Sequence, residues 1–386
     1  MKKGTLCVHD EGEDVFGSIV TPIHLTSTYK LNDEKYGKIM EGKNREAYVY
    51  TRWRNPTIKA LEEKMAMLEK GEDSVAFSSG MAAIATTFLT FLKKGDELLT
   101  TMDIYGGTFS FIQNELTKHG VEIKYVDCTS LNEISEAIST KTKMVFFESI
   151  TNPLLKVVDV PEVAKIAHEK NCLLVIDATF STPINQNPLL QGADIVIHSA
   201  SKYIGGHSDL IGGVVVSSKK ICGEIWKRMT RYGGCMDPQQ AYRILRSIKT
   251  LHLRVERHNE NAFEIAKFLE GLDGIKKVIY PGLPSHRQHE LAKKILNGFG
   301  GMVTFVLDGD NKDGIAFMRK LKICKEAPSL GGVETLVSMP FNTSHSYLSN
   351  EERKKMGIEE GMIRLSVGIE DVDDLKEDIE SALSSY

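Results

Sequence analysis

Lys202 stands in ADIVIHSASKYIGGH, residues 193–207, where an apolar run stops at His198 and small residues follow. An ammonium among small, buried residues loses solvation, and desolvation lowers its pKa. A neutral amine is a nucleophile that can form a Schiff base with an aldehyde. Many lysines after strands simply sit in solvent, so its neighbours must decide the reading. Asp177 closes another apolar run, LLVIDA; a strand-end carboxylate can hold a protonated ring nitrogen or cap a turn. Ser78-Ser79-Gly80-Met81 follows SVAFS and opens a helical pattern. Such residues at a helix N-terminus point N–H groups from the positive end of the dipole, which suits a phosphate. They also cap helices that bind nothing. Tyr105, just before Gly106-Gly107, offers a ring that can stack on a flat heterocycle or pack in a core.

These residues act together only if the fold brings them to one edge. Strands are expected at 74–78, 97–101, 122–127, 144–149, 173–178, 194–199 and 212–217, with helical patterns such as AAIATTFLTFLKKG and VPEVAKIAHEKN between several of them. Continuous apolar strands alternating with helices predict an α/β domain, its mostly parallel sheet covered on both faces. Ligands of such sheets bind beyond the carboxyl ends of the strands. Ser79, Gly80, Met81, Tyr105, Asp177 and Lys202 all fall there. A lysine for an aldehyde, an acid for a ring nitrogen and a phosphate cradle are what pyridoxal 5'-phosphate (PLP) requires.

The chain has 386 residues, 41% hydrophobic and 26% charged, with a formal net charge of −4. That length suits two domains, and the charge gives no reason to expect nucleic acid or an anionic membrane as partner. No apolar run approaches the ~20 residues of a membrane helix, and MKKGTLCVHDEGED is not expected to be a secretory signal. Six scattered cysteines without a C-x-x-C predict reduced thiols in a cytoplasmic protein and no metal site. Residues 1–56 read as an extended arm, 57–247 as the cofactor-binding domain and 248–386 as a smaller α+β C-terminal domain. A helical region over 238–271 links the two domains, and strands are expected near 302–307 and 362–367. Tyr50 and Arg52, two apart in an extended arm, would point to the same side.

The motifs TPIHLTSTY, YTRWRNPT, SSGMAA, YGGT, ESITNP, IDATFSTP, HSASKYIGGH, YPGL, SLGGVETL and IRLSVGIED stand in this order almost end to end. In them the chain resembles the Cys/Met-metabolism (transsulfuration) family of fold-type I PLP-dependent enzymes. The resemblance implies an aminotransferase-like large domain. It implies that Lys202 holds the cofactor covalently and later moves protons along the substrate. Asp177 would keep the ring nitrogen protonated, and Ser79, Gly80, Met81, Ser199 and Ser201 would bind the phosphate. Tyr105 would stack on the ring and assist the leaving group. Arg364, aided by Ser329 and Asn152, would clamp the substrate α-carboxylate. Tyr50 and Arg52 would reach a neighbouring subunit's phosphate, so the resemblance also implies a homotetramer, a dimer of dimers with shared sites.

The family's reactions are γ-elimination and γ-replacement on sulfur amino acids or O-acylhomoserines. Gly107 stands where methionine γ-lyases carry cysteine. Pro328 and Ser110 stand where the cystathionine branch usually has glutamate and often arginine, while Gly331-Gly332-Val333-Glu334 resembles that branch. The expectation is a cystathionine γ-synthase or γ-lyase reaction, with methionine γ-lyase or O-acetylhomoserine sulfhydrylase activity as the alternative. An inactive PLP-binding structural protein is the remote one.

Overall fold

Met144 and Phe146 point to one face of their strand and Val145 and Phe147 to the other, and all four are fully buried. That strand belongs to a seven-stranded sheet in the computed structural model, which describes residues 1–9, 16–343, 346 and 349–384. Its strands are β1 (Asp73–Phe77), β2 (Glu97–Thr100), β3 (Glu122–Tyr125), β4 (Thr142–Glu148), β5 (Leu173–Asp177), β6 (Ile195–Ser199) and β7 (Gly213–Ser217). They lie in the order β1-β7-β6-β5-β4-β2-β3. β7 alone runs against its neighbours; the other pairings are parallel. The expected mostly parallel sheet is therefore present, with bounds within a few residues of the sequence reading.

Helices Gly80–Phe91, Gly106–Asn114 and Lys219–Tyr232 cover one face, packing Phe88, Ile112 and Trp226 against Phe77, Phe146 and Ile197. The opposite face carries Pro56–Glu69 and Pro238–Ile248 over β1 and β7, and Leu131–Ala137 with Val160–Glu169 over β4 to β6. With water excluded from both faces, only the strand ends are free for ligands. β1, β4, β5 and β6 run the same way, so Phe77, Glu148, Asp177 and Ser199 end at one edge.

A five-stranded sheet follows: β8 (Ile275–Ile279), β9 (Met302–Leu307), β10 (Lys325–Glu326), β11 (Leu336–Ser338) and β12 (Met362–Ser366), in the order β10-β11-β12-β9-β8. β9 and β12 sit where the sequence places strands; β8, β10 and β11 were not expected. Ile363 and Leu365 pack under helices Leu251–Glu270 and Val372–Ser384. The two-residue period then turns Arg364 to the opposite face, towards the first sheet. Thr304, its cross-strand partner, bonds there through Oγ1 to the Pro153 carbonyl at 2.7 Å.

Two expectations are corrected. The helical region 238–271 is two helices, Pro238–Ile248 and Leu251–Glu270. At the break the Arg254 guanidinium takes the Ser247 carbonyl at 2.9 Å, and it also donates to the carbonyls of Tyr203 (2.6 Å) and Ile204 (3.3 Å). The break thus ties a helix end to the loop that carries Lys202. The segment 1–56 is not extended throughout. Lys3–Val8 is helical and buries Leu6 and Cys7 in the core, and Asp33–Met40 is helical behind an Asn32 cap that accepts from Lys35 N at 3.0 Å. No helix is long and apolar enough to cross a membrane among the described residues.

Candidate active site

β5 delivers Asp177 to the sheet edge, where its Oδ1 accepts from the Thr179 amide at 2.9 Å and hydroxyl at 2.5 Å. Burial pushes its carboxyl up, and these two bonds and His198 push it back down. One strand over, β4 ends at Glu148, the register partner of Asp177. β6 ends at Ser199, and Lys202 follows within one turn, its amide donating to the Ser199 carbonyl at 3.1 Å. Lys202 Nζ donates to Ser329 Oγ at 2.7 Å. Burial first, then the Arg364 charge, lower the ammonium to about 8. That leaves about a tenth of it neutral at pH 7, far more than an ordinary lysine.

The turn after β1 lies tightly against the ends of β6 and β7. A Cβ on Gly80 would come 2.9 Å from Ser199 Cβ, and one on Gly213 would land 2.2 Å from the Ser79 carbonyl oxygen. The Ser79 side chain accepts from Ala82 N at 3.1 Å and so starts helix Gly80–Phe91. Ser201 Oγ accepts from Gly212 N at 3.0 Å, which fixes the loop opposite. Small residues thus line a helix N-terminus, beside a cationic lysine.

Arg364 is 5% exposed, and burial lowers its guanidinium to about 10. Nη1 donates to Asn152 Oδ1 and Nη2 to the Ser329 carbonyl, both at 3.1 Å, while its buried Nε has no partner. A buried guanidinium with an unsatisfied N–H is prepared for a carboxylate. Ser329 touches both cations and is held at φ +93°, outside the range most residues accept. Tyr105 precedes helix Gly106–Asn114, and its ring leans over Gly107, where a Cβ would meet Cε1 at 2.5 Å.

Ser79, Gly80, Met81, Tyr105, Asn152, Asp177, Ser199, Ser201, Lys202, Ser329 and Arg364 all line one cavity of about 940 Å³. Tyr50 and Arg52 do not. The chain turns at once after Tyr50, whose carbonyl accepts from the amides of Trp53 (2.8 Å) and Arg54 (3.1 Å), so the pair is not on an extended strand. Arg52 folds over the Tyr50 ring at 5.5 Å and donates to the Thr230 carbonyl. Glu148, Thr179 and Ser208 line the cavity without having been singled out from the sequence, and Glu334, named there for its resemblance, lines it too. Glu148 had a signal: MVFFES ends on a buried acid, as LLVIDA does. Pro328 lines the cavity, whereas Ser110 does not; its Oγ accepts from Asn114 on the outer face of its helix, at 3.2 Å.

The lysine of lowered proton affinity, the buried acid and the tight glycine turn fit PLP. From residue 4 to 384 the sequence matches the family described as Cys/Met metabolism PLP-dependent enzyme. The chain belongs to this family. It is 44% identical to a cystathionine γ-lyase of Bacillus subtilis over 388 residues, which cover 100% of both chains. It is 42% identical to an L-methionine γ-lyase of Fusobacterium nucleatum subsp. polymorphum over 386 residues, 98% of this chain and 97% of that one. The crystal structure of cystathionine γ-lyase from Lactobacillus plantarum complexed with L-serine superposes with a TM-score of 0.94 at 38% identity, covering 100% of this chain and 99% of that one. Family and fold thus meet the expectation of a PLP-dependent transsulfuration enzyme with an aminotransferase-like large domain.

Proposed function

We propose that the enzyme carries out γ-elimination or γ-replacement on a sulfur amino acid, of the cystathionine γ-lyase and γ-synthase type. One observation carries this reading: Ser329 holds the Lys202 amine at 2.7 Å and Arg364 at 3.1 Å, so an amine-directed and a carboxylate-directed group face the same space. Both groups line the one cavity, as a substrate carrying an amine and a carboxylate on one carbon requires. Bound PLP supplies an electron sink for a carbanion beside the substrate nitrogen. Lys202 would hold the cofactor, and its Nζ, once released, would accept the proton from Cα with Ser329 Oγ beside it. Asp177 would hold the proton of the ring nitrogen, while Ser79, Gly80, Met81, Ser199 and Ser201 would hold the phosphate. Arg364 would bind the α-carboxylate through its free N–H groups, backed by Asn152. Tyr105, lining the same cavity, would pass a proton to the departing group.

The cavity has room for a cofactor and a two-ended substrate such as cystathionine. Its lining includes the apolar residues Ile211, Ala327, Pro328 and Leu336, and its Glu334 carboxylate is engaged by the Ser208 hydroxyl. These apolar residues favour a second reading, methionine γ-lyase, in which a short apolar thioether packs against them. Release of 2-ketobutyrate from L-cystathionine and from L-methionine, side by side at equal protein, separates the two. Faster release from cystathionine supports the first reading; equal or faster release from methionine overturns it in favour of the second.

The arm's exposed apolar residues support a shared-site homotetramer, and the free thiols of Cys7, Cys128, Cys172, Cys222, Cys235 and Cys324 support a reducing compartment, the cytoplasm. Phe16 and Ile19 are 89% and 91% exposed, apolar surface that a second copy would cover. Arg52 and Tyr50 lie outside their own chain's cavity, as residues that serve a neighbour's would. The division at 56 and 247 follows the same logic, separating arm, cofactor domain and C-terminal domain.

A further inference from the structure

Glu148 sits at the end of β4, only 6% exposed, at the back of the cavity beside Asp177. Its two oxygens accept from two different loops. Oε1 takes the Tyr105 amide at 2.6 Å, and Oε2 takes the Asn152 amide at 3.2 Å. Tyr105 opens the helix beside the ring position, and Asn152 Oδ1 holds Arg364. A single carboxylate therefore fastens the ring-stacking loop to the carboxylate-binding loop.

Burial and the Asp177 charge push the Glu148 carboxyl well up, while the Tyr105 and Asn152 amides pull it down. A second acid beside Asp177 is costly to keep there unless its place matters. An apolar residue would fill β4 as well, but would leave two buried N–H groups without acceptors. Burial lowers the Arg364 guanidinium, and Tyr203 and Glu148 push it part of the way back up.

We infer that Glu148 is a positioning residue that sets Asn152, and through it Arg364, for the substrate carboxylate, while fixing the Tyr105 loop on the other side. Glu148 acts by accepting the Tyr105 and Asn152 amides, not by contact with the substrate. This rests on the amino-acid reading of the cavity.

The test uses the PLP-loaded enzyme and two unreactive probes, L-norvaline and n-butylamine, which share a chain but differ in the carboxylate. Binding is read from the change each makes in the visible absorption of the bound cofactor. Glu148→Gln replaces one acceptor with a donor facing an N–H. Glu148→Asp keeps the charge but is one carbon too short to reach both loops. In each variant the dissociation constant for norvaline should rise about tenfold, in line with the loss of one buried charge-assisted hydrogen bond. That for butylamine should stay within about twofold and cofactor content near wild type, while the unmet buried N–H lowers the melting temperature of both variants. Unchanged norvaline binding, or equal losses for both probes, overturns the inference. If Glu148→Gln does not fold, Glu148→Asp decides; if neither folds, Glu148 is structural and the inference fails. A wild-type cofactor band that norvaline leaves unmoved overturns the amino-acid reading itself, whatever the variants do.

Discussion

At the scale of single residues, the proposal rests first on Lys202, whose Nζ donates to Ser329 Oγ in the cavity. Lys202→Ala should lose the visible absorption of bound cofactor and all keto-acid release; retained turnover would remove Lys202 from the mechanism. A second test needs no substrate. Burial and Arg364 depress the Lys202 ammonium from 10.5 to about 8. Below 8 both folded and unfolded chains carry this proton, and the folded one bears a buried charge. Between 8 and 10.5 the unfolded chain binds more protons, so this group's penalty fades and stability rises with pH. Cofactor-free Lys202→Met should then be more stable than cofactor-free wild type at pH 7, by on the order of 1 kcal/mol once solvent screening is allowed for. Denaturant titrations should show that gap closing as the pH passes from 8 to 10.5. A constant gap would mean the amine is not desolvated. Pro328 lines the cavity, and Pro328→Glu supplies an acid for the distal ammonium of cystathionine. It should raise kcat/KM for cystathionine relative to methionine by roughly tenfold or more, the worth of a charged hydrogen bond. No change in that ratio would place the distal end elsewhere.

At the scale of elements, strand ends make the site. Gly213 in β7 lets the Ser79–Gly80 turn close on the sheet, since a Cβ there would collide with backbone rather than with a yielding side chain. Gly213→Ala should cost about 1–3 kcal/mol of stability and weaken PLP binding, measured by cofactor titration of the stripped protein. Gly223, within helix Lys219–Tyr232, has nothing within 4 Å of its Cβ position. Gly223→Ala should stabilise by about 0.5–1 kcal/mol and leave PLP binding alone. Equal effects at the two glycines would show that the turn is not tight. The elements also show what a sequence conveys. Strands buried on both faces announce themselves as apolar runs, so β1, β4, β5, β6 and β7 were legible, and with them Asp177 and Lys202. β8, half exposed, and β10 and β11, two and three residues long, carry too little pattern to read. The break at Lys249–Thr250 leaves the helical period nearly intact, and only Arg254 folding back reveals it. Arg364 could be placed on a strand, but its direction depends on which face of β12 the helices cover. Glu148 was overlooked for a related reason: its partners are backbone amides, which leave no trace in side-chain identity.

At the scale of the whole molecule, the open question in the site is the phosphate. One chain supplies the glycine turn and the serines, while Arg52 rests against Thr230 and Tyr50, outside the cavity. If Arg52 completes a neighbour's site, two dead variants can repair each other. Arg52→Ala alone should bind PLP more weakly, and Lys202→Ala alone should be inactive. In a dimer of one chain of each kind, the site with the intact Lys202 faces the chain with the intact Arg52, and the other site lacks both. Random exchange of equal amounts makes half of the dimers mixed, so about a quarter of all sites are whole. Activity at limiting PLP should then rise on mixing towards about a quarter of wild type, at the rate at which tagged subunits exchange. Arg52→Ala mixed with wild-type chains provides the exchange control. If subunits exchange and activity stays at the level of Arg52→Ala alone, each site is complete within one chain and Arg52 serves only its own surface. A gain that follows exchange would instead make the arm part of the active site, and would give the arm's exposed Phe16 and Ile19 a neighbouring chain to pack against.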